Sequence, residues 1–174
     1  VYEIVLPEEY AGLDGITIVQ VSDLHNAEFG REQSRLIQAI TNQSPDYIFV
    51  TGDLVDSNRL DIDTAMEFIE AAVEIAPVYY VTGNHEGWIG NSYNELDARL
   101  ETSGVHRMSN CAETMLYNNT LFSVAGVYDP DMRGNNVIKT QDVIITLTES
   151  LDGYVILLSH RPELYDTYVE SGVD

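Results

Sequence analysis

The sequence predicts an α/β domain whose central sheet is mainly parallel, with an additional hairpin or small sheet in its second half. Up to about residue 90, apolar strand-like runs alternate with stretches of helical periodicity. Such alternation is typical of parallel strands joined by helical crossovers. Around Asn118 and Asn119, two apolar runs instead flank a short polar turn, which indicates a hairpin. The 174 residues, 44% of them hydrophobic, suffice for the core of one domain over 1–174.

Each predicted element follows from a local pattern. Four apolar residues from Ile62 to Val73 recur at intervals of four, three and four, which is helical spacing. Ser92 and Glu95 form a Ser-x-x-Glu capping box before another helix, and Gly104 supplies its stop. In chain order we expect a strand over 16–21, a helix over 31–43, a strand over 46–51, the helix from 62, a strand over 77–82, a helix over 93–103, the hairpin of 115–125, a strand over 154–159, and a last helix between Pro162 and Gly172.

The charge balance restricts the partners. There are 29 acidic and 8 basic side chains, which give a formal net charge of -21. Because the cations are scattered, nucleic-acid binding through a basic face is disfavoured. The single Cys111 excludes an intramolecular disulfide and a cysteine-based zinc cluster, and it leaves the redox compartment open. The excess carboxylates form a solvated acidic surface, or a few of them converge on bound cations.

Polar side chains directly follow four of the predicted strands. The blocks are Ser22-Asp23-Leu24-His25, Gly52-Asp53-Leu54-Val55-Asp56, Gly83-Asn84-His85-Glu86 and His160-Arg161. In an open parallel sheet, the carboxyl ends of the strands share one edge, and ligands bind there. We therefore expect these side chains to meet in one crevice.

The donor atoms in these blocks indicate a metal site. Carboxylate oxygen, imidazole nitrogen and amide oxygen without thiolate suit Mn²⁺, Fe²⁺ or Zn²⁺. The set exceeds what one tetrahedral ion needs, whereas two ions ~3.5 to 4 Å apart and bridged by a carboxylate would use it fully. Such a pair would set up in-line attack on a phosphoryl centre.

Each residue alone also has a structural interpretation. Asp23 and Asp56 could be turn or capping residues, His160 could be a core histidine, and Asn84 could occupy a left-handed turn. Four coincidental placements at strand ends are much less plausible than one site. His106 lies outside the pattern and is interpreted as structural. A nucleotide-binding Rossmann domain is excluded, because no Gly-x-Gly-x-x-Gly follows the first strand.

The blocks at 23–25, 52–56 and 83–86, together with His160, resemble those of the calcineurin-like metallophosphoesterases. The likeness extends from Ile16 to the end of the chain. It implies a layered α/β sandwich with a mainly parallel central sheet. It also implies a metal-dependent hydrolase of phosphomonoesters, phosphodiesters or pyrophosphates, with a metal-bound hydroxide as nucleophile and a small phosphorylated substrate as partner.

The resemblance also implies a role for each site residue. Asp23 and His25 would hold the first of two divalent ions (Mn, Fe or Zn), Asp53 would bridge both, and Asn84 and His160 would hold the second. His85 would contact the phosphate and stabilise or protonate the departing oxygen. Asp56 would orient the ligands.

The sequence indicates four candidate substrate contacts outside the metal-binding residues. Arg59 and Arg161 are candidates for a second phosphate or a carboxylate, since an Arg fork matches both, although either could pair with surface acids. Trp88 and Tyr93 could stack on a base or form an apolar wall. The alternative function is a metal-poor scaffold or binding module with the same fold.

The ends of the sequence carry two further expectations. In the family, a Gly-His-x-His block contributes one more ligand to each metal. No such block occurs before Asp174, so we expect a domain that is incomplete at its carboxyl end and binds metal more weakly.

At the amino end, the segment Leu13-Asp14-Gly15-Ile16 looks most like that of a bacterial branch of the family that often carries an amino-terminal anchor or export signal. A start at Val1 instead of Met is consistent with removal of such a segment. The expected location is cytoplasmic, or membrane-associated or extracytoplasmic if an anchor was removed.

Overall fold

The computed structural model describes residues 2–133, 140–149, 151, 153–171 and 173. Val1, the Gly172 that bounds the last predicted helix, and Asp174 lie outside these residues. The described strands form two sheets. The first is parallel, in the order β1 (Ile18–Val21), β2 (Tyr47–Thr51), β3 (Val78–Val81) and β4 (His106–Arg107). The second contains the antiparallel hairpin of β5 (Cys111–Tyr117) and β6 (Thr120–Gly126), with β7 (Tyr154–Leu158) parallel to β6.

Helices follow most of the strands. The α-helices are α1 (Ser34–Thr41), α2 (Ile62–Val73), α3 (Asn84–Trp88), α4 (Tyr93–Ser103), α5 (Thr140–Thr148) and α6 (Tyr165–Glu170). Short 3-10 turns occupy Glu8–Leu13, Arg31–Gln33, Gly90–Ser92, Pro130–Arg133 and Pro162–Leu164. Within the described ranges, every helix is too short or too polar to cross a bilayer.

Two local predictions about helices differ from the structure. The helix expected from Arg31 begins as a 3-10 turn and becomes α-helical at Ser34. The capping box at Ser92 is wrong. Ser92 has helical φ and ψ of -67 and -19, and its side chain caps none of the described N–H groups. An N-cap needs extended backbone angles, and the 3-10 turn of Gly90–Ser92 leads directly into α4 instead. Gly104 does end α4, with a φ of 87.

The two central strands of the first sheet, β2 and β3, are buried on both faces. Alternate residues of β2, such as Ile48 and Val50, pack with Phe68 and Ile69 of α2. The intervening Phe49 faces the other way, toward the second sheet, in a cluster whose further buried members include Tyr79, Val81, Phe122 and Val124. Helices, parallel sheet and second sheet therefore form successive layers. The predicted α/β fold with an additional hairpin is confirmed.

One topological expectation is wrong. His160 was placed at the same sheet edge as the other blocks, but β7, which precedes it, pairs with β6 in the second sheet. The register Phe122↔Tyr154 shows that the crossover through α5 returns the chain to the hairpin. The site is therefore formed between two sheets. His106, interpreted as structural, stacks on Tyr79 with ring centroids 4.4 Å apart.

Candidate metal centre

Asp53 lies at the centre of the candidate site. Its Oδ2 is 3.3 Å from His160 Nε2 and 3.5 Å from His25 Nε2. Two groups of potential ligand atoms, each within 4.8 Å of one another, share this residue: one with His25 and His85, the other with Asp23 and His160. The structure thus brings together all the predicted carboxylate and imidazole donors around Asp53.

Pairing between the first two strands continues into their loops. The backbone N–H of Asp23 donates to the Gly52 carbonyl (3.1 Å), and that of His25 donates to the Asp53 carbonyl (3.0 Å). These bonds hold the Asp-x-His block alongside the block that contains Asp53. As a result, His25 Nε2 also lies 3.7 Å from Asp23 Oδ1.

The backbone is strained at three candidate ligands. Asp23, His25 and Asp53 have φ values of 56, 48 and 52, in the left-handed region. This conformation costs an L-residue roughly 1–2 kcal/mol. Clusters of such residues are typical of functional sites, where the surrounding structure imposes the conformation.

Position 52 requires glycine for two reasons, a positive φ and the lack of room for a Cβ. Its φ is 90, and a Cβ there would lie 2.7 Å from His160 Nδ1 and 2.6 Å from the Gly83 nitrogen. A Cβ on Gly83 would in turn lie 2.2 Å from Asp53 Oδ1. The two strand-end glycines therefore allow Asp53 and His160 to approach.

Glu86 joins two strand-end loops from inside the protein. The carboxylate is fully buried and accepts hydrogen bonds from the N–H groups of Gly83 (2.6 Å), Asp53 (2.9 Å), Leu54 (2.8 Å) and Val55 (3.3 Å). Burial raises the pKa of Glu86, and the N–H donors oppose that rise. Glu86 closes the third predicted block, and the block pattern indicated no role for it. A glutamate three residues after the helix-capping Gly83 was the available signal.

His85 lies beside Asp53 with a defined tautomer. Its backbone N–H donates to Asp53 Oδ1 (2.8 Å), and its Nδ1 accepts the N–H of Ser57 (2.9 Å). The neutral ring therefore carries its proton on Nε2, as inferred from this hydrogen bond. Its centroid is 4.4 Å from that of His25. Nε2–H is thus available as a hydrogen-bond donor.

His160 is oriented by its other ring nitrogen. Nδ1 donates to the Thr51 carbonyl (2.8 Å), which leaves Nε2 directed at Asp53. The hydrogen bond with Asp53 raises the pKa of His160 to about 9, although burial opposes it. Burial alone would raise the pKa of Asp53, but hydrogen bonds with His160 and the His85 backbone hold it below its usual range. Histidine ligands of metals commonly have such a second hydrogen bond.

The remaining predicted residues lie around this centre. Asn84 is half-buried at the start of α3, between Gly83 and His85, which both contact Asp53. Asp56 accepts the N–H of Asn58 (2.8 Å), and its Oδ1 lies 3.8 Å from His85 Nδ1. It therefore adjoins His85.

The two candidate arginines differ. Arg59 is 87% exposed, with its guanidinium 3.7 Å from Asp56. Arg161 forms a fork on the buried Asp129, through Nε (2.5 Å) and Nη2 (2.8 Å). Its Nη2 is also 3.2 Å from Asp131. Sequence reasoning missed these two aspartates, because they follow β6 and match no block. Arg161 thereby ties the loop after β7 to the loop after β6.

Comparisons with known proteins bear on this site. A family model described as calcineurin-like phosphoesterase matches residues 16–172. An uncharacterized metallophosphoesterase of Aquifex aeolicus is 28% identical over 152 residues, which are 86% of this chain and 56% of that protein. A Caenorhabditis elegans protein named as a metallophosphoesterase is 32% identical over 151 residues, 84% of this chain and 31% of its own length.

A Danio rerio transmembrane protein with a metallophosphoesterase domain is 27% identical over 169 residues, covering 90% of this chain and 37% of that protein. The chain thus spans little more than half the length of the Aquifex relative and about a third of the two animal ones. The relatives come from bacteria and animals, so the bacterial branch stays a prediction. The crystal structure of the Mycobacterium tuberculosis phosphopantetheinyl hydrolase shares the fold, with a TM-score of 0.58 and 18% identity over 88% of this chain and 71% of that one.

Proposed function

Because the chain belongs to the calcineurin-like phosphoesterase family, we propose that it hydrolyses phosphate esters with two divalent metal ions. The observation that carries the proposal is the position of Asp53, shared by two groups of metal-binding side chains. A shared carboxylate between two donor groups is the arrangement that a dinuclear centre needs.

The residues present fit such ions. The donors are carboxylate oxygens and imidazole nitrogens, and the Thr51 carbonyl fixes His160 with Nε2 toward Asp53. We assign Asp23, His25 and Asp53 to the first ion, and Asp53, Asn84 and His160 to the second. When bound, the ions would activate water as the nucleophile and neutralise charge on the phosphoryl oxygens. Mn²⁺, Fe²⁺ and Zn²⁺ all suit this donor set.

His85 is assigned to the leaving group. Hydrolysis forms a bond from the water oxygen to phosphorus and breaks the bond from phosphorus to the ester oxygen. The water supplies both the oxygen that bonds to phosphorus and the proton that the ester oxygen takes up. The neutral His85 Nε2–H, whose tautomer is fixed by the Ser57 N–H on Nδ1, can hydrogen-bond to the departing oxygen and stabilise it. Asp56 accepts the Asn58 N–H, and we assign it to holding the loop whose Ser57 N–H orients the His85 ring. Arg59, whose guanidinium is mostly exposed, is the candidate contact for a second anionic group.

The test measures binding and turnover separately. Calorimetric titration with Mn²⁺ should show two ions bound by the wild type and weaker binding by Asp53→Asn. Hydrolysis of an aryl phosphate should require Mn²⁺ and disappear with chelator or in Asp53→Asn. Asp14→Asn, at an exposed carboxylate before β1, is the matched control and should behave as the wild type. Absence of metal binding by the wild type would instead favour the metal-poor scaffold, and full activity of Asp53→Asn would contradict the assignment.

A further inference from the structure

Trp88 is a large, exposed aromatic side chain beside His85, the candidate donor to the leaving oxygen. It ends α3, is 58% exposed, and its ring centroid is 4.9 Å from that of His85. The His85 side chain itself is only 15% exposed, because Trp88 lies on one side of it and His25 on another. The indole is therefore accessible to a ligand directly beside His85.

The indole is oriented by one hydrogen bond at its edge. Nε1 donates to Asp131 Oδ2 (2.9 Å), and Asp131 is in turn held by Arg161 at 3.2 Å and by its own N–H on Asp129 Oδ1 (2.9 Å). The backbone of Asp131 also packs on Gly87, where a Cβ would lie 2.9 Å from the Asp131 carbonyl carbon. Trp88 is therefore pre-oriented without being buried, so that a ligand pays little to order it.

We propose that Trp88 is a stacking platform for a planar aromatic group carried on the leaving-group side of the substrate. The proposal rests on the proposed function, which assigns His85 to the leaving oxygen. A group attached to that oxygen lies next to His85, and Trp88 is the adjacent exposed ring. Aromatic rings stack at centroid distances of about 4.5–7 Å, a range that an aryl group or a nucleobase can reach.

The carboxylates near Trp88 are ion-paired. Asp131, which holds the indole, lies 3.2 Å from the Arg161 guanidinium, and Asp56, near His85, lies 3.7 Å from that of Arg59. These pairs offset the carboxylate charges, so the platform selects for a planar aromatic face. The substrate class is therefore a phosphate ester of an aromatic alcohol or of a nucleoside.

The kinetic test uses the ratio of two substrates. We expect Trp88→Ala to lower the ratio of kcat/KM for an aryl phosphate to that for ethyl phosphate by about 10-fold, since stacking on an aromatic side chain is worth that much. Trp88→Phe, which keeps an aromatic face, should retain the ratio within about 2-fold. A nucleoside 5′-monophosphate tested beside the aryl phosphate shows which aromatic source is used. An equal loss for aryl and ethyl phosphates would overturn the platform and make Trp88 a support for His85.

A binding test works without turnover. Trp88 is the single tryptophan of the chain, so intrinsic emission reports on this ring alone. With Zn²⁺ present, phenylphosphonate should change the emission, and methylphosphonate at the same concentration should leave it unchanged. If hydrolysis fails while this difference is seen, the proposed reaction is wrong and the platform stands. If both phosphonates act alike, the platform is wrong whatever the activity.

Discussion

The buried carboxylate of Glu86 accepts a hydrogen bond from the backbone N–H of Asp53, 2.9 Å away, and so determines where the central candidate ligand lies. The same carboxylate binds the N–H of Gly83 at 2.6 Å. One side chain thus sets the distance between the loops after β2 and β3. The position of Asp53 therefore depends on a buried residue that is not among the candidate ligands.

Replacing Glu86 should destabilise the fold. Glu86→Gln places an amide NH₂ against backbone N–H donors, which leaves buried groups unsatisfied. We expect the free energy of unfolding to fall by about 3 kcal/mol, measured by urea denaturation. Glu67→Gln, at an exposed position of α2, is the matched control and should lie within about 0.5 kcal/mol of the wild type. A Glu86→Gln protein as stable as this control would show that the four bonds are dispensable.

The steric effect of a Cβ at Gly52 can be measured separately from the cost of its positive φ, by comparison with Gly15. Gly15 has nearly the same φ (85 against 90), but a Cβ there meets none of the described atoms within 4 Å. We expect Gly15→Ala to cost about 1 kcal/mol of stability and to leave metal affinity unchanged. Gly52→Ala should cost more and should weaken Mn²⁺ binding at least 10-fold, because its Cβ displaces His160. Calorimetry and urea denaturation measure both quantities, and equal effects of the two substitutions would contradict this account.

Arg161 should act as a structural tie between loops. Arg161→Ala leaves Asp129, whose side chain is fully buried, without its guanidinium partner. We expect a loss of about 2–3 kcal/mol in the free energy of unfolding, and a shift in Trp88 emission because Asp131 is released. In a double-mutant cycle with Asp129→Asn, the second substitution should recover part of the loss.

A role for Arg161 in substrate binding predicts a different result for the same substitution. If this guanidinium instead bound substrate, Arg161→Ala would raise KM and leave the unfolding curve in place. Substrate contact by Arg161 stays a prediction until that comparison is made.

Salt should stabilise the protein. The formal net charge of -21 produces mutual repulsion in the compact state, and screening by salt reduces it. The Debye length falls from about 10 Å at 0.1 M to about 3 Å at 1 M. We expect Tm to rise by several degrees between 0.05 and 1 M NaCl, measured by circular dichroism in the presence of chelator. A constant or falling Tm would mean that the surface ion pairs outweigh the repulsion.

Local patterns predicted much of the fold. The intervals between apolar residues located α2, and the asparagine turn located the β5–β6 hairpin. The cap at Ser92 was wrong, because the preceding 3-10 turn gives it helical angles. The pattern of residue types could not predict the 3-10 turn of Gly90–Ser92, since the backbone path before α4 depends on tertiary packing.

The sequence by itself determined which donors stand at which strand ends, because a strand, its glycine and the polar residue after it are neighbours in the chain. Only the tertiary structure decided that His160 reaches Asp53 from a second sheet, that Glu86 joins two loops, and that Arg161 binds Asp129. Each of these contacts joins residues far apart in sequence. Strand pairing and burial, which no local pattern encodes, fix the distances between them.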